Sequence, residues 1–596
     1  MPSSWNPDDP PAELPPYILA FVSCRLGASE ACIQQLWTAV GAWVWADGAD
    51  ILEDSAAGEE GLVDGWFTKE PDQLLSEHML YPSVRVCTDP SCAGHGRALR
   101  LYDAPNSVQV FTMTRGAYDA HAVHLTCKKC KALYYPNYVV RDDVRQYYAG
   151  IPDYIQVSGH KYIERAVLEH FTMLSVLSWT SSTNTAHIYH QSMAKLGGDM
   201  PEDSRFRLQG THTSDGLLIL ALLRDSADRG QVLAVPNGGH QKERFTAAMR
   251  ARTRRIQRSG QPEQTHWCTK CVRRFDDPDG VTRYVDCVIT DGIDVGRPCC
   301  GVHNCRRELR TPQDRWCAGH QSWELLCVVD GCSVPHRLGC RTCELHASVE
   351  EHFLATSKAI FTLRARLQRA QVAHPTDAIA PDAAVDEDIE AEVPGPCPDK
   401  TAEGNHRVRA RFGRRRTHNE QLIVRPCGII TSRETFYGAE SVPQVVDMIK
   451  KKHLVPGSMP RYVWYDNNCG LFKYCAARAG ERLHLDVGLP VDVFHWKCKH
   501  KKTDIECSFH CNPHLFQELL KDDNTWFFNS SRAEQTNVWF GGYHAIVREM
   551  GAVKYEFFLD EMILQKNKLT RAKLEAEGCI PGYRRDLRFA STWVPT

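Results

Sequence analysis

The sequence carries almost no net charge: 71 Lys and Arg stand against 73 Asp and Glu, a formal −2 at pH 7. A uniformly basic nucleic-acid binder is excluded, and any surface for phosphates must come from local segregation of charge. Long hydrophobic runs are missing too. The most apolar stretches, around Ile33 to Trp45 and Leu217 to Leu223, are too short or too polar to cross about 30 Å of hydrocarbon, so no membrane partner is expected. The first residues, Met1-Pro-Ser-Ser-Trp-Asn-Pro-Asp-Asp-Pro-Pro, lack the basic start and apolar run of a secretory leader. An intracellular protein with reduced cysteines is therefore expected. What the chain does have is length, 596 residues with 43% hydrophobic content, enough for roughly four domains at about 150 residues each. It also has 25 cysteines. In a reduced compartment, Cys-x-x-Cys and Cys-x-x-His spacings read as zinc ligands.

Composition and periodicity divide the chain. Residues 1–80 are Pro-rich coil with a helix near Ala28 to Trp45 and carry no chemistry. Residues 81–150 hold an N-terminal cysteine region, and 151–275 a helical, partly basic region in which Ile163, Val167, Leu168, Phe171, Leu174 and Leu177 recur at helical spacing. Within it, Lys242, Arg244, Arg250, Arg252, Arg254, Arg255 and Arg258 face the single acid Glu243. That run is either a solvated helix face or a phosphate-tracking surface, and charge alone does not choose. Residues 374–405 are acidic, rich in Ala and Pro, and read as a disordered loop. They lead into His406–Arg416, six arginines in eleven residues, which suits DNA phosphates, a nuclear import receptor or a solvated tail.

The centre of the chain repeats itself. Cys300-x4-Cys305-x11-Cys317-x2-His320 is followed by Cys327-x4-Cys332-x10-Cys343-x2-His346, with offsets of 27, 27, 26 and 26 residues. Each set offers the three thiolates and one imidazole of a closed tetrahedral zinc site. Cys299, Cys340 and His303 could substitute, so the register is less fixed than the number of ions. Nearer the N-terminus, Cys87-x4-Cys92-x34-Cys127-x2-Cys130 makes an all-cysteine ligand set, with His95 as an alternative fourth ligand. Cys268-x2-Cys271 is another knuckle whose partners the sequence does not show. Two to four structural zinc ions follow. Closed sites leave no position for substrate, so these modules stabilise small lobes or present a binding surface.

Three acids stand where a metal-dependent nuclease needs them. The run Arg283–Thr290 reads as a strand delivering Asp291, with Asp286 and Asp294 as competitors; Arg461–Tyr465 is a second strand delivering Asp466. Glu534 opens a helical pattern, although Ser531-x-x-Glu534 is also a good capping box. Asp291 and Asp466 are 175 residues apart, and setting aside the 124 residues 297–420 leaves 51. The remainder reads as strands around Leu422 to Phe436, a helix from Glu440 to Lys451, and the strand ending at Asp466. This is the strand, strand, strand, helix, strand order of a ribonuclease-H-like α/β core, a mixed sheet with helices. On that reading 280–296 is its first part, 297–350 a tandem zinc insertion, 351–420 a helix and loop, and 421–596 the remainder. Acids on neighbouring strand ends, about 4.8 Å apart, can share metal ions. Magnesium or manganese paired about 3.5 to 4 Å apart would stabilise both attacking and leaving oxygens in an in-line displacement.

Trp464-Tyr-Asp-Asn-Asn-Cys469, the segment Arg425-Pro-Cys-Gly-Ile-Ile-Thr-Ser-Arg-Glu-Thr-Phe-Tyr-Gly-Ala-Glu440, Ala533-Glu-Gln-Thr-Asn537 and the cysteine groups together resemble the fungal Kyakuja-Dileera-Zisupton (KDZ) transposases over roughly residues 80–550. The resemblance implies a nuclear cut-and-paste DNA transposase with a DDE core, in which Asp291, Asp466 and Glu534 hold two Mg²⁺ or Mn²⁺ ions. It also implies a metal or rigidifying role for Cys507-x2-His510, which matches a Cys-x2-His signature found after the second acid in several DDE superfamilies. The implied partners are transposon-end and target DNA and a second copy of the chain. Two other readings remain: a zinc-dependent DNA or chromatin binder that kept the scaffold and lost the reaction, and a zinc-rich ubiquitin-ligase-like adaptor. Against the adaptor, the central repeat is two consecutive ligand sets, not an interleaved cross-brace.

Overall fold

The computed structural model describes residues 11–54 except 15–17, 20–21 and 24–25, then 79–194, 206–276, 279–355, 410–455, 457–498, 504–579 and 582–583. The acidic stretch 374–405, together with Arg407 and Arg409 of the basic block, lies outside the described residues. The chain divides into two compact units, Met1–Met173 with Ser182–Phe245, and Leu174–Ser181 with Thr246–Thr596. None of the described helices is long and apolar enough to cross a membrane.

Among the described residues the first unit contains two sheets. One has five strands in the order Met79–Leu80, Ala117–Ala122, Asn106–Phe111, Lys161–Glu164 and Tyr154–Ser158. Val108 and Val110, two residues apart and so on one face, bury against Ala120, Ala122 and Tyr162. The other sheet, of six short strands, carries the N-terminal cysteine region and runs from Arg100–Leu101 to Ala234–Pro236. Helices Arg165–Ser178, Ser182–Ile188 and Gly210–Asp228 form where helical spacing predicted them. At the ends of that pattern the outcome differs: Ile163 belongs to a strand, and Leu177 is 57% exposed.

In the second unit the elements are α1 (Thr246–Ser259), β1 (Val272–Asp276), β2 (Thr282–Ile293), β3 (Asn419–Val424), β4 (Ile430–Phe436), α2 (Val442–Lys452), β5 (Tyr462–Trp464), α3 (Asn468–Ala476), α4 (Val493–Cys498), α5 (Arg532–Gly541) and α6 (Ala552–Ala576). The sheet runs β1-β2-β3-β4, antiparallel throughout, and β5 joins β2 in parallel. Both faces of the central strands are apolar, as a sheet covered on each side requires. Cys287, Ile289, Leu422, Val424 and Trp464 pack towards Trp539, Phe540, Leu559 and Ile563 of α5 and α6. The alternate residues Val288, Ile423 and Val463 pack towards Val445, Val446, Ile449 and Leu471 of α2 and α3. The result is a mixed α/β layer arrangement.

Between β3, β4 and α6 lies a buried ion network. Arg433 bonds Asp560 at 2.9 Å and Glu556 at 2.7 Å and also pairs with Glu420, while the Tyr555 hydroxyl donates to Glu420 at 2.8 Å. A strand arginine with three carboxylates is satisfied only if the long helix α6 docks in one register, so the network fixes that helix against the sheet.

Candidate active site and zinc clusters

Strand register decides what the acids can do. In the parallel pair, Ile289 on β2 lies opposite Trp464 on β5. Asp291 and Asp466 each follow two residues later, so both carboxylates leave the same end of neighbouring strands. Asp291 is still paired, opposite Leu422 of β3. Its Oδ1 accepts the Gly292 N–H at 2.9 Å, and its Oδ2 accepts from Asn537 Nδ2 at 2.8 Å. Burial, then the nearby Asp466 carboxylate, pushes the Asp291 carboxyl up to about 7, with Glu440 and Glu534 adding to the effect. Glycine is required next to it: a Cβ at Gly292 would run into Asn419 and lie 2.7 Å from Gln421 Oε1. The competitors are placed elsewhere. Asp286 is buried against Arg425 at 3.1 Å and accepts the Arg461 N–H at 3.0 Å, while Asp294 is exposed.

A histidine joins the acids. His495 is buried, its Nδ1 lying 3.0 Å from Asp466 Oδ1 and its Nε2 3.5 Å from Glu534 Oε1. Ligand atoms of Asp466, His495 and Glu534 all lie within 4.8 Å of one another. Asp492 explains the placement. Its Oδ1 accepts the backbone N–H groups of Phe494 (2.9 Å) and His495 (3.1 Å), starting α4, and lies 3.3 Å from His495 Nδ1. Its Oδ2 accepts the Ser531 hydroxyl at 3.2 Å, which ties the start of α4 to the start of α5, where Glu534 sits. Ser531 thus serves Asp492, and no side chain caps α5. Tyr465 donates to Glu440 at 2.9 Å beside this group. The donors suit a hard divalent cation: carboxylate oxygens dominate, and one imidazole is more at home on Mn²⁺ than on Mg²⁺.

The cysteine sets close as their spacing predicts. Cys87, Cys92, Cys127 and Cys130 form one group, Cys300, Cys305, Cys317 and His320 a second, and Cys327, Cys332, Cys343 and His346 a third. Tetrahedral zinc with Zn–S near 2.3 Å puts sulfurs about 3.8 Å apart and sulfur and nitrogen about 3.6 Å apart. Here Cys87–Cys130 and Cys92–Cys127 are 3.8 Å, Cys305–Cys317 3.9 Å and Cys332–Cys343 3.8 Å. Cys300–His320 is 3.3 Å and Cys327–His346 3.5 Å. The repeat extends to the backbone: Asn304 and Gly331, each preceding the second ligand, both adopt positive φ (54° and 84°). These sets are compatible with structural zinc. His95, Cys299, Cys340 and His303 are not among their ligands.

Two family descriptions match the chain, both of cysteine clusters associated with KDZ transposases: a CxC5-like cluster over residues 75–193 and a CxC6-like cluster over residues 289–352. Both matches support the likeness to the KDZ transposases. No curated protein and no solved structure matches it. The two KDZ-associated spans contain the first cluster and the central pair respectively, and the second span opens at Ile289, two residues before Asp291.

Other residues differ from expectation. Cys507 and His510 do not form a metal site. Cys507 is disulfide-bonded to Cys469, with Cα atoms 5.0 Å apart, which also departs from the expectation of uniformly reduced cysteines. His510 instead stacks flat on Phe472 at 4.1 Å. The Asp492-x2-His495 pair, with the same spacing, is the one that faces the acids. The basic runs are largely spent internally. Arg252 of α1 is buried in an ion pair with Glu561, Arg250 pairs with Glu308, and Arg244 donates to backbone carbonyls of Pro236 and Asn237. In the second block Arg414 and Arg416 both bond Glu549 (2.9 and 2.8 Å), and Arg415 bonds His303. Of the α1 run, Arg254 and Arg258 are exposed.

Proposed function

We propose that the chain is a DNA transposase, or a protein derived from one, which cleaves and joins DNA through a metal-dependent DDE centre on a ribonuclease-H-like core. The observation that carries this reading is the β2–β5 register, which sends Asp291 and Asp466 from the same end of adjacent parallel strands, with Asp466 grouped with His495 and Glu534. The order of strands and helix between them, three antiparallel strands, a helix and a parallel fourth strand, supports the core assignment. The family association supports DNA as the substrate and partner, and a nuclear location follows from acting on chromosomal DNA. Pairing of two transposon ends calls for a second copy of the chain.

In this reading Asp291, Asp466 and Glu534 hold Mg²⁺ or Mn²⁺, which when bound supplies charge stabilisation for in-line phosphoryl displacement. The chain's own residues prepare the site. Asn537 and the Gly292 N–H fix both oxygens of Asp291, so the carboxylate needs little reorganisation to serve as a ligand. His495 holds Asp466 and Glu534 at a fixed separation, and Asp492 orients the ring through Nδ1. Purified chain incubated with DNA from the ends of its element in Mg²⁺ or Mn²⁺ tests the proposal. Nicking and strand joining by the wild type, absent in Asp466→Asn, is expected. Equal inactivity of both, with DNA still bound, would replace it with the non-catalytic binder.

A further inference from the structure

We infer that His266, Cys268, Cys271 and Cys427 bind a further structural zinc ion, which clasps the turn between β3 and β4 to the knuckle ahead of β1. It lies outside both KDZ-associated cysteine spans. The four donor atoms lie within 4.8 Å of one another, and all four residues are buried, none more than 5% exposed. Cys427 Sγ is 3.4 Å from His266 Nε2, close to the sulfur–nitrogen edge of a zinc tetrahedron and matching the 3.3 to 3.5 Å edges of the two central sets.

The donor complement, three thiols and one imidazole, is the same as in those two sets. The local backbone is that of a knuckle: the Cys271 and Val272 N–H groups fold back on the Cys268 carbonyl at 3.0 and 3.1 Å, and the Cys268 N–H points at Cys271 Sγ at 3.0 Å. A backbone N–H aimed at sulfur is a better partner for a thiolate than for a thiol, and zinc is what keeps clustered thiolates deprotonated. Three sulfurs and an imidazole in a closed, buried group suit zinc, whereas Mg²⁺ would want oxygen.

The position gives the ion a structural task. Cys271 leads directly into β1, and Cys427 sits at the tip of the β3–β4 turn, so one ion joins two parts of the sheet that no ladder pairs directly. The same turn meets the acid-bearing helix: Arg532 at the start of α5, two residues before Glu534, donates to the Pro426 carbonyl at 3.2 Å. Leu574, Ile429 and Cys579 complete the apolar shell. Cys579 shares that shell but is outside the donor group, which makes it an internal control.

The test is zinc stoichiometry of the full chain, by native mass spectrometry and elemental analysis. Cys427→Ser is expected to carry one ion fewer than wild type, while Cys427→His, which restores a ligand, and Cys579→Ser keep the full number. Unchanged zinc in Cys427→Ser would overturn the inference. Should Cys427→Ser fail to fold, zinc-edge anomalous scattering from wild-type crystals decides: a peak bonded to these four side chains supports the site, and its absence, with peaks present at the other three clusters, overturns it.

Discussion

Replacing Asp291 with Asn should make the stability of the protein depend differently on pH, by an amount that the site geometry sets. The Asp291 carboxyl is raised from 3.8 to about 7 by burial and by Asp466. A carboxyl raised in the folded state keeps its proton longer there than in the unfolded chain. Stability is therefore undiminished below about pH 3.8, falls as pH rises through the window, and carries the whole penalty above about 7. At about 1.4 kcal/mol per unit the full penalty is about 4 kcal/mol, and the part that develops between pH 5 and pH 8 is about 3 kcal/mol. Asn does not titrate. It does lose one of the two hydrogen bonds that Asp291 accepts, from Gly292 and Asn537, a cost of about 1 to 2 kcal/mol that is the same at either pH. At pH 5 wild type already carries about 1.5 kcal/mol of that penalty, so Asp291→Asn should unfold close to wild type there and clearly above it at pH 8. The swing in melting temperature is about 5 °C for a unit of this size. The assay is thermal unfolding of zinc-replete protein without added Mg²⁺, both chains at both pH values, so that effects at the zinc clusters cancel. Adding Mg²⁺ at pH 8 should stabilise wild type and leave the variant unchanged. An equal difference between the two chains at pH 5 and pH 8 would refute the argument.

Arg433→Ala leaves Glu420, Glu556 and Asp560 buried without their cation and should cost about 3 to 5 kcal/mol, read as a loss of cooperative unfolding of the second unit; a change under about 1 kcal/mol would show that the network is not holding α6. Gly292→Ala forces Asn419 and Gln421 aside and should displace Asp291, abolishing cleavage while zinc content stays at the wild-type level; retained cleavage would count against the close approach. Gly331→Val puts a β-branched residue at positive φ, costing about 1 to 2 kcal/mol, and should make the Cys327–His346 set release zinc to a chelator first, whereas Asn304→Gly should not weaken the Cys300–His320 set. Simultaneous release from both sets in Gly331→Val would contradict the local origin of the effect.

The zinc ligands were legible where they are local. A Cys-x2-Cys or Cys-x2-His knuckle is fixed by a few residues of backbone, and the central repeat states its ligands twice. His266 and Cys427 were not, because 161 residues separate them and only sheet pairing brings the β3–β4 turn to the knuckle. The acids were legible because the apolar runs Cys287–Ile289 of β2 and Tyr462–Trp464 of β5 lead into the turn residues Asp291-Gly292 and Asp466-Asn467. His495 was not singled out, since Asp492-x2-His495 and Cys507-x2-His510 share a spacing and packing alone decides which imidazole faces Asp466. The arginine runs misled for a related reason. Charge density along a segment says nothing of Glu549 or Glu561, which arrive from more than a hundred residues away to neutralise it.

The most direct test of the acid centre is manganese-edge anomalous scattering from crystals grown with Mn²⁺. A peak bonded to the carboxylates of Asp291 and Asp466, lost in Asp466→Asn, is the predicted result. Crystals that take up Mn²⁺ elsewhere but show none at Asp291, Asp466 or Glu534 would contradict the account.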